Sequence, residues 1–218
     1  MGWRIPVARP DIGVAEQEAV HQVMASGWIT QGPKVRELEA GFARLCGTSH
    51  AVATNTGTAA LHVALLALGI GSGDEVITTP LSCIASANPI VMQGAQVVFA
   101  DVDPETYNLD VREVDKRITP RTKAILPVHL FGHPVDLDPL LELASRHSLP
   151  VIEDASQATG ARYKGRRVGG FGLVGCFSLY ANKIVTSTSL SDFLLNPTIS
   201  RVMSNELWVL SLPRPSQL

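Results

Sequence analysis

The run CFSLYANK delivers Lys183 at the end of the apolar segment LVGCFSLY, with Asn182 beside it and Gly172 and Gly175 upstream. Most lysines are solvated surface groups. One that ends a buried strand is instead placed as a desolvated amine, able to attack a carbonyl and form a Schiff base. Earlier in the chain, VIEDASQATG closes an apolar strand on two adjacent carboxylates, Glu153 and Asp154. Side chains alternate along a strand, so only one of the pair can face a ligand crevice beyond the strand end. A carboxylate there needs a cation or a donor, because an unpaired buried charge is costly; a helix N-capping Asp would read the same way. Gln157 follows one turn later, within reach of the same ligand.

A third pattern is TNTGTAAL, where a strand over 51–54 turns through Asn55–Gly57 into an apolar helix. Gly57 lets the backbone approach closely, and Thr58 adds a hydroxyl to the free N–H groups of the first turn. A helix N-terminus at the carboxyl edge of a sheet suits a phosphate, although an ordinary N-cap fits the same residues. The glycines of GIGSGDEV (Gly69, Gly71, Gly73) are a decoy. They follow a helix and precede a strand, the reverse of a dinucleotide fingerprint, and read as a helix C-cap and turn. Each pattern alone is weak. Together, a phosphate cradle, a strand-end Asp and a strand-end Lys call for pyridoxal phosphate: an amine for its aldehyde, a carboxylate for its pyridine nitrogen and an anchor for its phosphate.

The elements that must carry these residues alternate. Amphipathic helices are expected over 14–26 and 34–46, joined by GWITQGP. The buried helix of the TNTGTAAL unit follows, with helices over 84–93, 111–118 and 137–147. Strands lie in DEVITTP, AQVVFADVD, KAILPVHLFG and LPVIEDA. Apolar strands separated by helices predict a doubly wound, mostly parallel α/β sheet covered on both faces, with ligands beyond the strands' carboxyl ends. Past Val185 the texture changes. TSTSLSDFLLNPTISRVMSNELWVLSLPRPSQL offers at most a short strand in DFLLN and a helix over 199–210. Residues 1–185 are therefore expected to form the cofactor-binding domain and 186–218 a divergent tail.

Composition sets outer bounds. The chain has 218 residues, 45% hydrophobic and 17% charged, with a net charge of −2. That suits a core-forming protein and leaves no electrostatic footprint for nucleic acid or an anionic membrane. The basic cluster Arg162, Lys164, Arg166 and Arg167 reads as a solvated loop. Cys46, Cys83 and Cys176 form neither a disulfide framework nor a metal pattern, so no metal is expected and a reducing cytoplasm is. His62 and His129 read as hydrogen-bonded core residues.

The chain resembles the DegT/DnrJ family of sugar aminotransferases, fold-type I enzymes acting on nucleotide-linked keto-sugars. The resemblance is carried by SGWITQGP, NTGTAALHVALLALGIGSGDEVITTP, GAQVVFADVDPETYNLD, PVHLFGHPVDLDPL, VIEDASQATGARYKGRRVG and CFSLYANK, from about Ile5 to Val185. It implies that Lys183 is the Schiff-base lysine, Asp154 the partner of the pyridine nitrogen and Gln157 the neighbour of the phenolic oxygen. Gly57, Thr58 and Ser178 would hold the phosphate, and Trp28 and Thr30 would border the substrate. It further implies amino transfer, usually from glutamate, to a keto-sugar nucleotide by a homodimer. Relatives that dehydrate sugars carry histidine in place of the lysine, so Lys183 favours the transaminase.

Two departures stand out. Cys83 occupies a position where relatives often stack an aromatic ring on the pyridine. After Lys183 the family continues with GEGG, a further interior strand and a smaller C-terminal domain, where this chain has TSTSLSDFLLNP. The expectation is a chain truncated after the cofactor lysine and lacking the small domain. The competing reading is a non-catalytic remnant that at most binds cofactor.

Overall fold

A computed structural model of the chain describes residues 11–185 in full and the backbone of Ser191–Phe193. The helix expected over 199–210 lies outside the described residues. Helix α1 is Val14–Ser26 and α2 is Pro33–Cys46. Each ends at a glycine in the left-handed region, Gly27 and Gly47, which caps the last turn without a Cβ penalty. Helix α2 is amphipathic as expected, burying Phe42 and Cys46. Helix α1 is not: none of its residues is buried, and Val14, Val20 and Met24 face outward.

The remaining elements in order are β1 (Val52–Thr54), α3 (Gly57–Ala67), β2 (Glu75–Thr78), α4 (Asn88–Met92), β3 (Gln96–Phe99), α5 (Val111–Asp115) and β4 (Thr122–Leu126). Then come α6 (Leu137–Arg146), β5 (Ile152–Asp154), β6 (Arg162–Tyr163), β7 (Arg166–Arg167), β8 (Val174–Cys176) and β9 (Ser191–Phe193). The helix expected over 84–93 is broken. A 3-10 turn, Ile84–Ser86, precedes α4, and Pro89 sits in the first turn of α4, where its missing N–H does no harm. The glycines at 69, 71 and 73 join α3 to β2, as their order in the sequence predicts.

Strands β3, β2 and β4 pair in parallel in that order. Parallel bridges Ile125–Val151 and Val128–Asp154 attach β5 to β4, and β8 pairs in parallel with β5. Strands β2, β5 and β8 are buried at every position. A parallel sheet so apolar must be covered on both faces, so the architecture is the doubly wound α/β one. Strand β9 pairs antiparallel with β1, Phe193 opposite Val52, and adjoins β8. The short strand expected in DFLLN is thus present in part, as Asp192 and Phe193 with Ser191 before them.

Helix α3 lies against β1, β5, β8 and β9. Its Leu61, Val63 and Leu65 are each at most 1% exposed; at about 2 kcal/mol per fully buried aliphatic side chain, this helix is a main anchor of the sheet. The basic cluster is the β6–β7 hairpin. There Lys164 pairs with Asp138, Arg162 and Arg167 bond the carbonyls of Gly165 and Gly160, and the Arg166 guanidinium lies 4.4 Å from the Phe171 ring centroid. Among the described residues, no helix is long and apolar enough to cross a membrane, and no group of three His, Cys, Asp or Glu side chains could hold a metal.

Candidate active site

Strands β1, β5 and β8 end on the same side of the sheet as the start of α3, and a cavity of about 570 Å³ opens there. Its lining includes Gly57, Thr58, Cys83, Asp154, Gln157, Ser178 and Lys183. Seven of the nine residues singled out in the sequence therefore meet in one place, although they span 127 positions from Gly57 to Lys183 inclusive. Trp28 and Thr30 do not line it. Both are exposed, and the Trp28 indole donates to the carbonyl of Gln31.

The α3 end is a cap with two donors to spare. Thr56 is the N-cap, its hydroxyl accepting from Ala59 N at 3.0 Å, while its carbonyl accepts from Ala60 N. Among the described residues, no acceptor meets the N–H groups of Gly57 and Thr58, the first two of the helix. The cap reading and the anion-site reading thus both hold, on different residues. A Cβ on Gly57 would stand 3.0 Å from the Cβ of Ser178 and 3.3 Å from the carbonyl oxygen of Phe177. Glycine is what lets α3 begin against the end of β8. Ser178, 8% exposed, brings its hydroxyl to the same corner.

Alternation along β5 separates the adjacent carboxylates. Asp154 faces the cavity at 3% exposure. Its Oδ2 accepts from the Ser86 hydroxyl at 2.7 Å and its Oδ1 from Ser156 N at 3.0 Å. Glu153 points the other way and is wholly buried. It accepts from the N–H groups of Gly169, Phe171 and Gly172, each at 2.7 Å, and meets His129 Nε2 at 3.1 Å. Burial opposes the charge on Glu153, but the His129 hydrogen bond and the Gly172 and Gly169 donors outweigh it and hold its carboxyl below the ordinary range. His129 Nδ1 accepts from Val135 N at 3.1 Å, which leaves the ring proton on Nε2, directed at Glu153. The core role expected for His129 holds. His62, by contrast, is only partly buried.

Gln157 Oε1 accepts from Phe131 N at 3.0 Å. With its oxygen engaged, the amide has N–H groups left to offer the cavity. Lys183 is half-buried at the cavity wall; its backbone N–H donates to Tyr180 O at 2.8 Å, and among the described residues nothing pairs with its Nζ. Cys83 is exposed at the rim and carries no ring. The other two thiols are buried and inert. Burial, aided by Glu153, pushes Cys46 up to about 12, and burial with Asp154 and Glu153 raises Cys176 well above the ordinary thiol range.

Sequence reasoning missed Ser82, Ser86 and Ser156, all of which line the cavity. The only available signal was the density of hydroxyls in SCIAS and DAS. The assembled donor set fits pyridoxal phosphate. Around its lining it offers open N–H groups and hydroxyls at the start of α3, a buried carboxylate, a side-chain amide and an amine unpaired among the described residues, in a volume suited to a small cofactor.

Comparisons with known proteins agree. Residues 10–189 match the model of the DegT/DnrJ/EryC1/StrS aminotransferase family. GDP-perosamine synthase of Caulobacter vibrioides is 50% identical over 185 residues, 84% of this chain and 50% of that protein. Among solved structures, S. venezuelae DesV in complex with a ketimine intermediate is 44% identical with a TM-score of 0.81, covering 86% of this chain and 51% of DesV. A Streptococcus pneumoniae structure in a PLP form is 32% identical with a TM-score of 0.85, covering 92% of this chain and 55% of that one. The chain spans about half the length of the relatives it matches. It belongs to the DegT/DnrJ/EryC1/StrS aminotransferase family.

Proposed function

We propose that this chain is the cofactor-binding part of a pyridoxal-phosphate-dependent aminotransferase that passes an amino group, from a donor such as glutamate, to a nucleotide-linked keto-sugar. Residues 1–185 form that domain in this reading and 186–218 a separate tail. The observation that carries it is the meeting of Lys183, Asp154 and the open N-terminus of α3 around one cavity.

Bound there, pyridoxal phosphate supplies an electron-poor ring that stabilises negative charge on the carbon next to a substrate amine. The chain's own groups do the rest. Gly57 and Thr58 N–H and the Ser178 hydroxyl hold the phosphate, helped by the dipole of α3. Asp154 keeps a proton on the ring nitrogen, and Gln157 donates to the phenolic oxygen. Lys183 Nζ, unpaired among the described residues, would be the amine that holds the cofactor's aldehyde end and the base available for proton transfer. Cys83, at the rim, would place a small side chain beside the cofactor, and Trp28 and Thr30, outside the cavity lining, are proposed to meet the substrate.

A GDP-linked keto-sugar is the first nucleotide sugar to try, given the half-identical relative named GDP-perosamine synthase. Work as a homodimer is supported by the outward apolar residues of α1 together with the exposed Trp28, Ile29, Ile84 and Tyr180. A cytoplasmic setting is supported by three free cysteines. Polysaccharide or antibiotic biosynthesis is the setting that such a product implies.

The test is spectroscopic. Pyridoxal phosphate added to the purified chain should give a lysine-dependent visible band, and glutamate should convert that band to the pyridoxamine form. A band that glutamate leaves unchanged would favour the competing reading, a chain that binds cofactor without turnover. No band at all would defeat the aminotransferase reading and leave the non-catalytic remnant.

A further inference from the structure

Asp154 is held from a distant part of the chain. The 3-10 turn Ile84–Ser86 lies on the connection from β2 to α4, and its one buried residue is Ser86, at 3% exposure. The Ser86 hydroxyl stands 2.7 Å from Asp154 Oδ2, across 68 positions of sequence. Ser82 Oγ lies 3.0 Å from Ser86 Oγ. A hydroxyl has one proton to give and a carboxylate only accepts. The proton of Ser86 is therefore committed to Asp154, and that of Ser82 to Ser86. With Ser156 N on Oδ1, each carboxylate oxygen has one fixed donor, and the plane of the group is set.

We propose that Ser86 is a positioning residue for the Asp154 carboxylate, and that Ser82 completes a one-way hydroxyl chain, Ser82 to Ser86 to Asp154, that keeps this carboxylate an acceptor aimed into the cavity at the cofactor's ring nitrogen. The inference rests on the functional reading above. Its second support is location: Ser82 and Ser86 both line the cavity that Asp154 faces. Hydrogen bonds in series polarise one another, so the outer hydroxyl strengthens the inner bond. The same connection carries Cys83 at the rim. The loop that fixes the carboxylate thus also lines the cavity rim.

The experiment compares wild type, Ser86→Ala, Ser86→Thr and Ser82→Ala by pyridoxal phosphate titration, by the spectrum of the bound cofactor and by the unfolding midpoint of each chain without cofactor. Losing a hydrogen bond to a charged group should weaken cofactor binding roughly ten- to hundred-fold in Ser86→Ala. Its bound spectrum should shift, because the ring nitrogen that Asp154 addresses is part of the chromophore. Ser86→Thr, which keeps the hydroxyl, should retain most of the affinity and the wild-type spectrum, and Ser82→Ala should fall between. Wild-type affinity and spectrum in Ser86→Ala would overturn the inference. So would an equal loss in Ser86→Thr while that chain stays folded. If Ser86→Ala does not fold, Ser82→Ala and Ser86→Thr decide: unchanged binding in the first, or lost binding in the second, overturns it. A wild-type chain that binds no pyridoxal phosphate would instead defeat the functional reading itself.

Discussion

Glu153 and Asp154 are neighbours in sequence and face opposite sides of β5. Asp154 opens onto the cavity, and Glu153 is buried against the turn that leads into β8, with the N–H groups of Gly169, Phe171 and Gly172 on its two oxygens. One strand thereby fixes both the carboxylate of the site and the run of chain that ends at Lys183. The turn is packed so closely that a Cβ on Gly175 would stand 2.2 Å from the carbonyl oxygen of Gly169.

Glu153 should make stability depend on acid. Its folded carboxyl lies below the ordinary value of 4.5, so the unfolded chain takes up the proton more readily. The contribution is complete above that value and fades as pH falls through the lower folded one. Glu153→Gln replaces an acceptor by an amide facing N–H donors and should cost about 2–3 kcal/mol at neutral pH. Urea unfolding at several pH values should show a shallower acid limb in the variant than in the wild type.

Gly57→Ala should act on binding more than on folding. The added methyl presses on Ser178 and on the Phe177 carbonyl and shifts the start of α3 away from the phosphate corner. Losing one charge-assisted contact should weaken pyridoxal phosphate binding by roughly tenfold. The melting temperature should change little, since Ala is the better helix former. Calorimetric titration and a thermal melt separate the two effects.

Phe131 sits at φ 51°, ψ 27°, is 86% exposed, and donates its N–H to Gln157 Oε1. A bulky residue in the left-handed region is strained by about 1–2 kcal/mol. Phe131→Gly removes that strain and no buried contact. After the backbone entropy cost of glycine it should be neutral to about 1 kcal/mol more stable. A clear loss of stability by urea unfolding would show that the ring contributes to the fold.

Leu61 lies under the cavity on α3 and is 1% exposed. Leu61→Ala should cost about 2–5 kcal/mol, read as a fall in the denaturant midpoint, with weaker cofactor binding as a consequence of the loosened helix.

Much of this was legible in the sequence, because it is local. The glycine- and proline-bearing GWITQGP loop between the first two helices and the alternation of apolar strands with helices place the elements. The strand-end position of Asp154 and the turn at Gly57 place the site. Lys183 does not end a strand as expected, since β8 stops at Cys176 and the lysine follows on a half-buried turn seven residues later. Helix α1 spans the expected residues 14–26, yet its outward apolar side chains show that a periodic pattern does not say what, if anything, covers it. Pro89 could have been read as a helix start, and ignoring it merged two short turns into one helix. Alternation required Glu153 and Asp154 to part but did not say which would enter the cavity. The grip of Ser86 on Asp154 had no sequence signal, because it arises only when the β2–α4 connection and the end of β5 meet across the sheet.

The most direct measurement is to bind pyridoxal phosphate to the chain, reduce the adduct with borohydride and map the modified peptide by mass spectrometry. The account predicts the label on Lys183, together with loss of the visible band in Lys183→Ala. A label on another lysine, or a band that survives in Lys183→Ala, would contradict it.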